Sequence, residues 1–378
     1  MSTILTDDVL FLIHLLDDKA RIVGGAVRDS LQNIPVNDID IATELAPQEV
    51  LERLTQANIK TMTAGIEHGT IMAIVNHKPY EITTLRTDIQ TDGRHAKVSF
   101  TNSYEQDAQR RDFTVNALYM DKNGIIYDYT NGQNDLKNHH VRFIGSATER
   151  VQEDYLRILR YFRFWSKLGH GLVDEEAITA CTTYADKLNT ISSERKRYEF
   201  FEILALPNCD KTLTLMQQCG VLKHIIPTAN ITALSQFLSV YPNAEIEEKL
   251  AILTQDSAIN LPLSKAQKKL LNTFNTPIAL SNDLKVERLK LYHIGQRAYH
   301  FHVYKELSQN NISADTGQKL IALTVPTFPL KGQDFIDLGY KAGSQIQHCL
   351  KTAENIWADN NFSDNKELVL KQFLVYNK

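Results

Sequence analysis

Asp38 and Asp40 are separated by a single residue in Asp38-Ile39-Asp40, and they follow the pair Gly24-Gly25 by thirteen to sixteen positions. Carboxylates two apart on a strand project to the same side, while Ile39 and Ile41 turn to the other. Two acids so placed can share a pair of Mg²⁺ ions roughly 3.5–4 Å apart, the arrangement that serves in-line phosphoryl displacement. The glycines supply the other half of that chemistry. Arg21-Ile22-Val23-Gly24-Gly25-Ala26-Val27-Arg28-Asp29 reads as strand, tight turn and helix start. Glycines there let backbone N–H groups approach a triphosphate, and a helix N-terminus favours the anion. An Asp-x-Asp alone also suits an exposed strand end; its combination with the glycine turn in one strand–turn–helix–strand unit is what points to nucleotides and metal ions.

Three further groups extend the pattern. Glu81, in Tyr80-Glu81-Ile82-Thr83-Thr84-Leu85, completes a three-carboxylate cluster if its strand lies beside the one bearing Asp38 and Asp40; otherwise it is a solvated strand-face acid. Arg110-Arg111-Asp112-Phe113-Thr114-Val115-Asn116 sets two guanidinium groups, a carboxylate and an amide beside an apolar run. Arginines offer forked donors to phosphate oxygens, and Asp112 can accept from both ribose hydroxyls, although a charged helix start explains the same residues. In Glu153 to Phe164, Tyr155, Ile158, Leu159 and Phe162 form an apolar helical stripe, with Asp154 and Arg157 neighbours on another face. That pair is either an intrahelical ion pair or a template for a nucleobase. A carboxylate beside a guanidinium matches the amino donor and ring acceptor of cytosine or adenine and mismatches uracil and guanine, so it would accept CTP and ATP and refuse UTP and GTP. Arg160, further along the helix, could reach a triphosphate; Arg163 reads as structural.

These groups need elements to hold them. Residues 20 to about 145 are strand-rich and punctuated by glycine, with Gly69–Val75 and Tyr80–Leu85 forming a hairpin. Arg86 to His95, polar and centred on Asp92-Gly93, reads as a mobile loop. From Val151 onward the spacing is helical. The 378 residues (43.0 kDa) exceed one small core. A net charge of −4 excludes a uniformly basic nucleic-acid coat, so any RNA contact must come from local patches such as Lys265–Lys269 or Lys285–Lys290. Cys181, Cys209, Cys219 and Cys349 lack metal-ligand spacing and read as buried free thiols of a reducing compartment. The short apolar run Val9–Ile13, flanked by acids, suits a packed amphipathic helix rather than a signal peptide, and no stretch reaches the roughly 20 apolar residues that span a bilayer. A cytoplasmic protein is expected.

Taken together, the chain resembles the class II tRNA nucleotidyltransferases, the CCA-adding enzymes of the polymerase-β superfamily, with bacterial poly(A) polymerases as kin. Gly24 to Asp40, including Pro35, is similar to the family's first motif, Arg110–Leu118 to the ribose-selecting second, and Asp128–Leu136 with Gly132 and Asp135 to the third, a hinge. Glu153-Asp154 with Arg157 resembles the fourth, the amino-acid template. Ile191–Arg195 with Glu199 resembles the fifth, which braces the neck, and Leu330–Trp357 is more loosely similar to the C-terminal segment. Asn33 and Val115 depart from the usual glycine and isoleucine.

The resemblance implies an α+β head (1–145) with a mixed five-stranded palm sheet, then an all-α neck (146–205), body (206–270) and tail (271–378) in an elongated, multi-domain molecule. It further implies untemplated addition of C, C and A to the tRNA 3′ end from CTP and ATP. Asp38 and Asp40 would hold Mg²⁺, with Glu81 as third catalytic acid; Gly24, Gly25, Arg28, Arg111 and Arg160 would hold the triphosphate. Asp112 and Asn116 would fix the ribose, and Asp154 with Arg157 would read the base. The helical body would grip the acceptor stem and elbow by shape. Arg86–Lys97 would be the flexible loop that helps the template switch from CTP to ATP. A poly(A) polymerase, a partial CC- or A-adder and a catalytically silent tRNA-binding protein are the alternatives.

Overall fold

Alternation along the strands builds one sheet with two unlike faces. The computed structural model describes residues 4–92, 95–255, 258–360, 362–363 and 365–376, with 88–92 and 95–97 described by backbone alone. The chain forms two compact units, Met1–Ala229 with Ser257–Pro262, and Asn230–Asp256 with Leu263–Lys378. In the first, α1 (Asp7–Leu15) is capped by Thr6 and buries Val9, Leu12 and Ile13, the amphipathic helix expected. Next come β1 (Ala20–Val23), α2 (Gly25–Leu31), β2 (Asp40–Thr43), α3 (Pro47–Gln56), β3 (Lys60–Met62), β4 (Thr70–Val75) and β5 (Lys78–Thr84). After a ribbon of β6 (Arg86–Asp92) and β7 (His95–Phe100) follow α4 (Tyr104–Gln109), β8 (Leu118–Met120), β9 (Ile126–Asp128) and α5 (Gly132–Lys137).

The main sheet runs β3-β4-β5-β2-β1-β8-β9 and is mixed, with β2 parallel to β5 and the other pairs antiparallel. It has seven strands rather than the five expected, because the three-residue β3 and β9 complete its edges. Register places Ile22, Ile41, Ile82 and Ile71 side by side across four strands, each at most 1% exposed. β-Branched neighbours of this kind pack well on a pleated face. One residue along, the opposite face carries Val23, Asp40, Glu81 and Met72 in the same cross-strand row. The isoleucine row therefore fixes where Asp40 and Glu81 point. The β4–β5 hairpin closes at Asn76-His77, both at positive φ (48° and 64°), as a mirror-image two-residue turn requires.

The stretch expected to be a mobile loop is a second, two-stranded antiparallel sheet of β6 and β7, with a register shift between Asp88 and Gln90. Its tip, Gly93-Arg94, lies outside the described residues.

From residue 146 the unit is helical, as expected: α6 (Ala147–Glu153), α7 (Arg157–Lys167), α8 (Glu175–Thr183), α9 (Ser193–Ala205) and α10 (Cys209–Gln218). The junction into these helices is tightly latched. Asp128 accepts from the backbone N–H groups of Thr130, Gly132 and Gln133, and Asp135 accepts from Thr114 and Arg142. A Cβ on Gly132 would lie 2.2 Å from the Thr114 carbonyl oxygen, so only glycine allows α5 to seat here.

The second unit is all helical among the described residues: α11 (Ile231–Val240), α12 (Ile246–Leu253), α13 (Lys265–Asn275), α14 (Leu284–Ile294), α15 (Gln296–Ser308) and four more helices to Tyr376. Leu330, Phe335, Ile346, Cys349 and Trp357 of the segment likened to the family's C-terminal region share one core. All four cysteines are buried, and none is in a disulfide. No described helix is long and apolar enough to cross a membrane.

Candidate active site

A cleft of about 700 Å³ opens within the first unit. It is lined by Gly24, Gly25, Arg28, Asp40, Arg111, Asp112, Asn116, Asp154, Arg157 and Arg160, ten of the twelve residues singled out in the sequence. Arg86, Arg110, Glu153, Arg163, Phe164, Lys167, Tyr198 and Glu202 also line it. Asp38 and Glu81 do not. Asp38 lies in the segment before β2, which begins at Asp40, so the two aspartates do not share a strand as expected. Glu81 does sit beside Asp40, in register on β5. Among the described residues, however, no three acidic, histidine or cysteine side chains are gathered closely enough to grip a metal ion. The triad expected from the sequence is thus an adjacent pair with a third acid nearby.

Asp40 is reached by solvent yet stands in the cleft wall, where surrounding protein displaces much of its hydration. That burial, with the Glu81 carboxylate beside it, pushes its carboxyl up to about 6; Arg111 pulls the other way, and Asp38 adds to the rise.

The glycine turn works differently from expectation. Gly24 takes φ 70°, which glycine adopts without strain, but its N–H donates to the Leu118 carbonyl (3.0 Å), so that donor is spent inside the fold. Arg28 is buried, bonded through Nη1 to Asn116 Oδ1 (2.5 Å) and through Nε to Asp29 Oδ1 (2.8 Å), and its guanidinium lies over the Phe164 ring.

Asp112 is held on both sides. Its Oδ1 accepts from the Phe113 N–H and Asn116 Nδ2, while Oδ2 receives Arg160 Nη2 and Nε at 2.5 and 2.7 Å. Burial alone would raise its pKa; Arg160 overrides that and holds the carboxyl down at about 2. Arg160 is therefore committed to Asp112, and its Nη1 lies 3.5 Å from Glu199 on α9, rather than being extended toward a phosphate. Arg163 also pairs with Glu199 (3.1 Å), in keeping with the structural role expected. Burial raises the Glu199 pKa, against the pull of Arg163 and Arg160.

The base-reading pair departs most from the sequence pattern. Asp154 is not on a helix with Arg157. It is the extended residue (φ −154°, ψ 107°) that ends α6, and α7 begins only at Arg157. Its Oδ1 accepts from the Leu156 N–H and its Oδ2 takes Arg195 of α9 at 2.6 Å. Arg157 pairs instead with Glu153 and donates to the Arg150 carbonyl, both through Nη1, leaving Nη2 and Nε without a partner among the described residues. Both side chains still line the one cleft. The break in the helix turns Asp154 toward it.

Sequence reasoning missed Asp107. This carboxylate, 1% exposed, accepts from Arg110, Arg111, the Tyr119 hydroxyl (2.7 Å) and the backbone N–H of Arg86, the first residue of the ribbon. Burial would raise its pKa, but Arg111, then Arg110, hold it at about 2. Its position three and four residues before Arg110 and Arg111 was the available signal. Replacing Asp107 by asparagine is expected to destabilise the protein by about 3–5 kcal/mol near neutral pH, since it strands buried cations. The carboxyl is depressed below its unfolded value of 3.8, so its stabilisation is full above that value and fades as pH falls through about 2. Urea unfolding of both proteins should show the gap narrowing over that acid window. A gap independent of pH would contradict the assignment.

Comparison with known proteins bears on what this cleft does. Residues 20–142 match the family described as "Poly A polymerase head domain", and 173–231 match "Probable RNA and SrmB- binding site of polymerase A". The mitochondrial CCA tRNA nucleotidyltransferase 1 of Mus musculus is 32% identical, over 93% of this chain and 86% of its own length. The chain belongs to the CCA-adding tRNA nucleotidyltransferase family. The CCA-adding enzyme of Streptococcus gordonii is 41% identical over 57% of this chain and 54% of its own. The family's fold is shared as well: the Bacillus stearothermophilus CCA-adding enzyme, solved in complex with CTP, superposes with a TM-score of 0.73 at 24% identity, covering 99% of this chain and 98% of that one. The chain is thus an enzyme of the nucleotidyltransferase class, with a polymerase-β-like head followed by helices.

Proposed function

We propose that this enzyme adds C, C and A in turn to the 3′ end of tRNA, drawing on CTP and ATP without a nucleic-acid template. One observation carries the reading: Asp40, a bank of arginines and the pair Asp154 and Arg157 line the same cleft, from elements as distant in sequence as β2 and α7. In-line transfer needs these three functions within one nucleotide's length.

The donor set suits a divalent cation. Asp40 beside Glu81 and Asp38 is a concentration of negative charge that raises its own proton affinity, and a metal ion would relieve it. Asp40 and Asp38 would hold Mg²⁺, which when bound lowers the pKa of a hydroxyl nucleophile and offsets charge on the transferring phosphate. Arg110 and Arg111, fixed by Asp107, present forked donors to the triphosphate. Gly24 and Gly25 keep the wall low beside it, and Arg28 braces Asn116. Asp112 and Asn116 stand together as acceptor and donor for the ribose.

Asp154 offers an acceptor, and the unpartnered nitrogens of Arg157 offer donors. Cytosine and adenine satisfy both; uracil and guanine would set acceptor against carboxylate. The head (1–145) and neck (146–205) would thus carry the chemistry, and the body (206–270) and tail (271–378) would grip the acceptor stem and elbow of tRNA. Lys265, Lys268 and Lys269, which line a groove of about 550 Å³ with Ile278 and Ile294, suit phosphate contact; in the other basic stretch Lys290 is tied to Glu287. Four buried cysteines outside any disulfide agree with a reducing compartment, and we place the enzyme in the cytoplasm.

The test is a gel of tRNA lacking its 3′ end, incubated with each nucleotide singly and together. CTP alone should add two cytidines, ATP alone nothing, and the two together the full C-C-A end. Long tails from ATP alone would mark a poly(A) polymerase; a product stopping short of adenosine would mark a partial adder. No extension with bound tRNA would mark a silent binder.

A further inference from the structure

Tyr198 stands apart in a cleft otherwise walled by charge. It lies on α9 with 59% of its surface exposed, whereas Phe164, the other aromatic residue of the lining, is buried. Its ring lines both the main cleft and an adjoining pocket of about 590 Å³, whose remaining lining is Leu156, Ser192, Glu194 and Arg195. Arg195 and Tyr198 are one helical turn apart and so neighbours on one face of α9. Arg195 is also the residue that holds Asp154. The pocket therefore begins directly behind the base-reading carboxylate. Arg163, 5.9 Å from the Tyr198 ring centre, adds positive charge at its edge.

An exposed aromatic ring beside arginines is how proteins hold unpaired nucleobases, because every base has a face to stack and the arginines meet its phosphate. We infer that Tyr198 is a stacking platform for an unpaired base of the acceptor RNA end, seated in this second pocket while the incoming nucleotide occupies the main cleft. The inference rests on the nucleotidyltransferase reading. It gives the strand being extended a place of its own beside the main cleft. It also brings the RNA end against Arg195, and through it against Asp154.

Two measurements on the full chain test it, with Tyr198→Ala and Tyr198→Phe. The first follows binding of an RNA hairpin ending in an unpaired 2-aminopurine nucleotide, whose fluorescence is quenched by stacking and needs no turnover. Quenching is expected with the wild type and Tyr198→Phe and should be lost in Tyr198→Ala. The second separates KM for tRNA from KM for CTP. Tyr198→Ala should raise the former about tenfold and leave the latter unchanged, with phenylalanine restoring it. Equal quenching in all three proteins, or an effect confined to CTP, would overturn the inference. Should the wild type extend no RNA at all, the functional reading fails, while the quenching result still reports whether Tyr198 stacks on a base.

Discussion

Asp40→Ala is expected to cut the rate of nucleotide incorporation by about 10³-fold or more while leaving tRNA affinity within about twofold. The size follows from the several kcal/mol that a well-held divalent ion contributes at a transferring phosphate, at 1.36 kcal/mol per tenfold in rate. Of the three acids expected to be catalytic, Asp38, Asp40 and Glu81, Asp40 lines the cleft, and the row it shares with Glu81 sets that carboxylate beside it. Glu81→Gln should have a smaller effect, since that side chain does not line the cleft. Single-turnover incorporation with saturating Mg²⁺, read beside a filter-binding assay, separates the two quantities. Near-normal incorporation by Asp40→Ala would reject the assignment.

The second large effect concerns selection. Asp154→Ala should narrow the preference for CTP over UTP by about 10²-fold or more, because a site built on paired polar groups rejects a mismatched base far better than one without them. Binding of the triphosphate should suffer less, as its arginines are untouched. The structure adds a prediction the sequence did not contain. Arg195, bonded to Asp154 at 2.6 Å, positions the carboxylate, so Arg195→Ala should erode selection in the same direction. Competition between labelled CTP and UTP measures both variants. Selectivity unchanged in Asp154→Ala would count against base reading by this residue.

How far the sequence shows this architecture depends on how local each signal is. The isoleucine row is legible because strand alternation is a property of neighbouring residues: Ile22, Ile41, Ile71 and Ile82 each sit in a short apolar, β-branched run. The three-residue strands β3 and β9 are not, since three residues cannot show alternation. Arg86–Asp92 is polar apart from Ile89, so the stretch reads as a loop, although the Asp92-Gly93 turn signal and the alternation of Ala96, Val98 and Phe100 after it were there to mark a hairpin. The break at Asp154 is hidden for the opposite reason. Glu153 to Phe164 keeps helical spacing with no glycine or proline, and one partner of the extended Asp154 is Arg195, 41 residues on. Arg160 reads in the sequence as able to reach a phosphate because its partners, Asp112 and Glu199, lie 48 and 39 positions away. Residue types were legible; who neutralises whom was not.

That last point bears on turnover. Most cations facing the cleft already have a carboxylate: Arg110 and Arg111 share Asp107, Arg157 has Glu153, Arg160 has Asp112, Arg163 has Glu199 and Lys167 has Asp29. An arriving triphosphate does not fall into a bare well of positive potential; it competes with resident anions and trades places with them. Capture is correspondingly gentle, and pyrophosphate, once formed, leaves arginines that can close back onto their own partners. An enzyme that loads three nucleotides in turn on one RNA is served by a cleft whose cations have partners to return to.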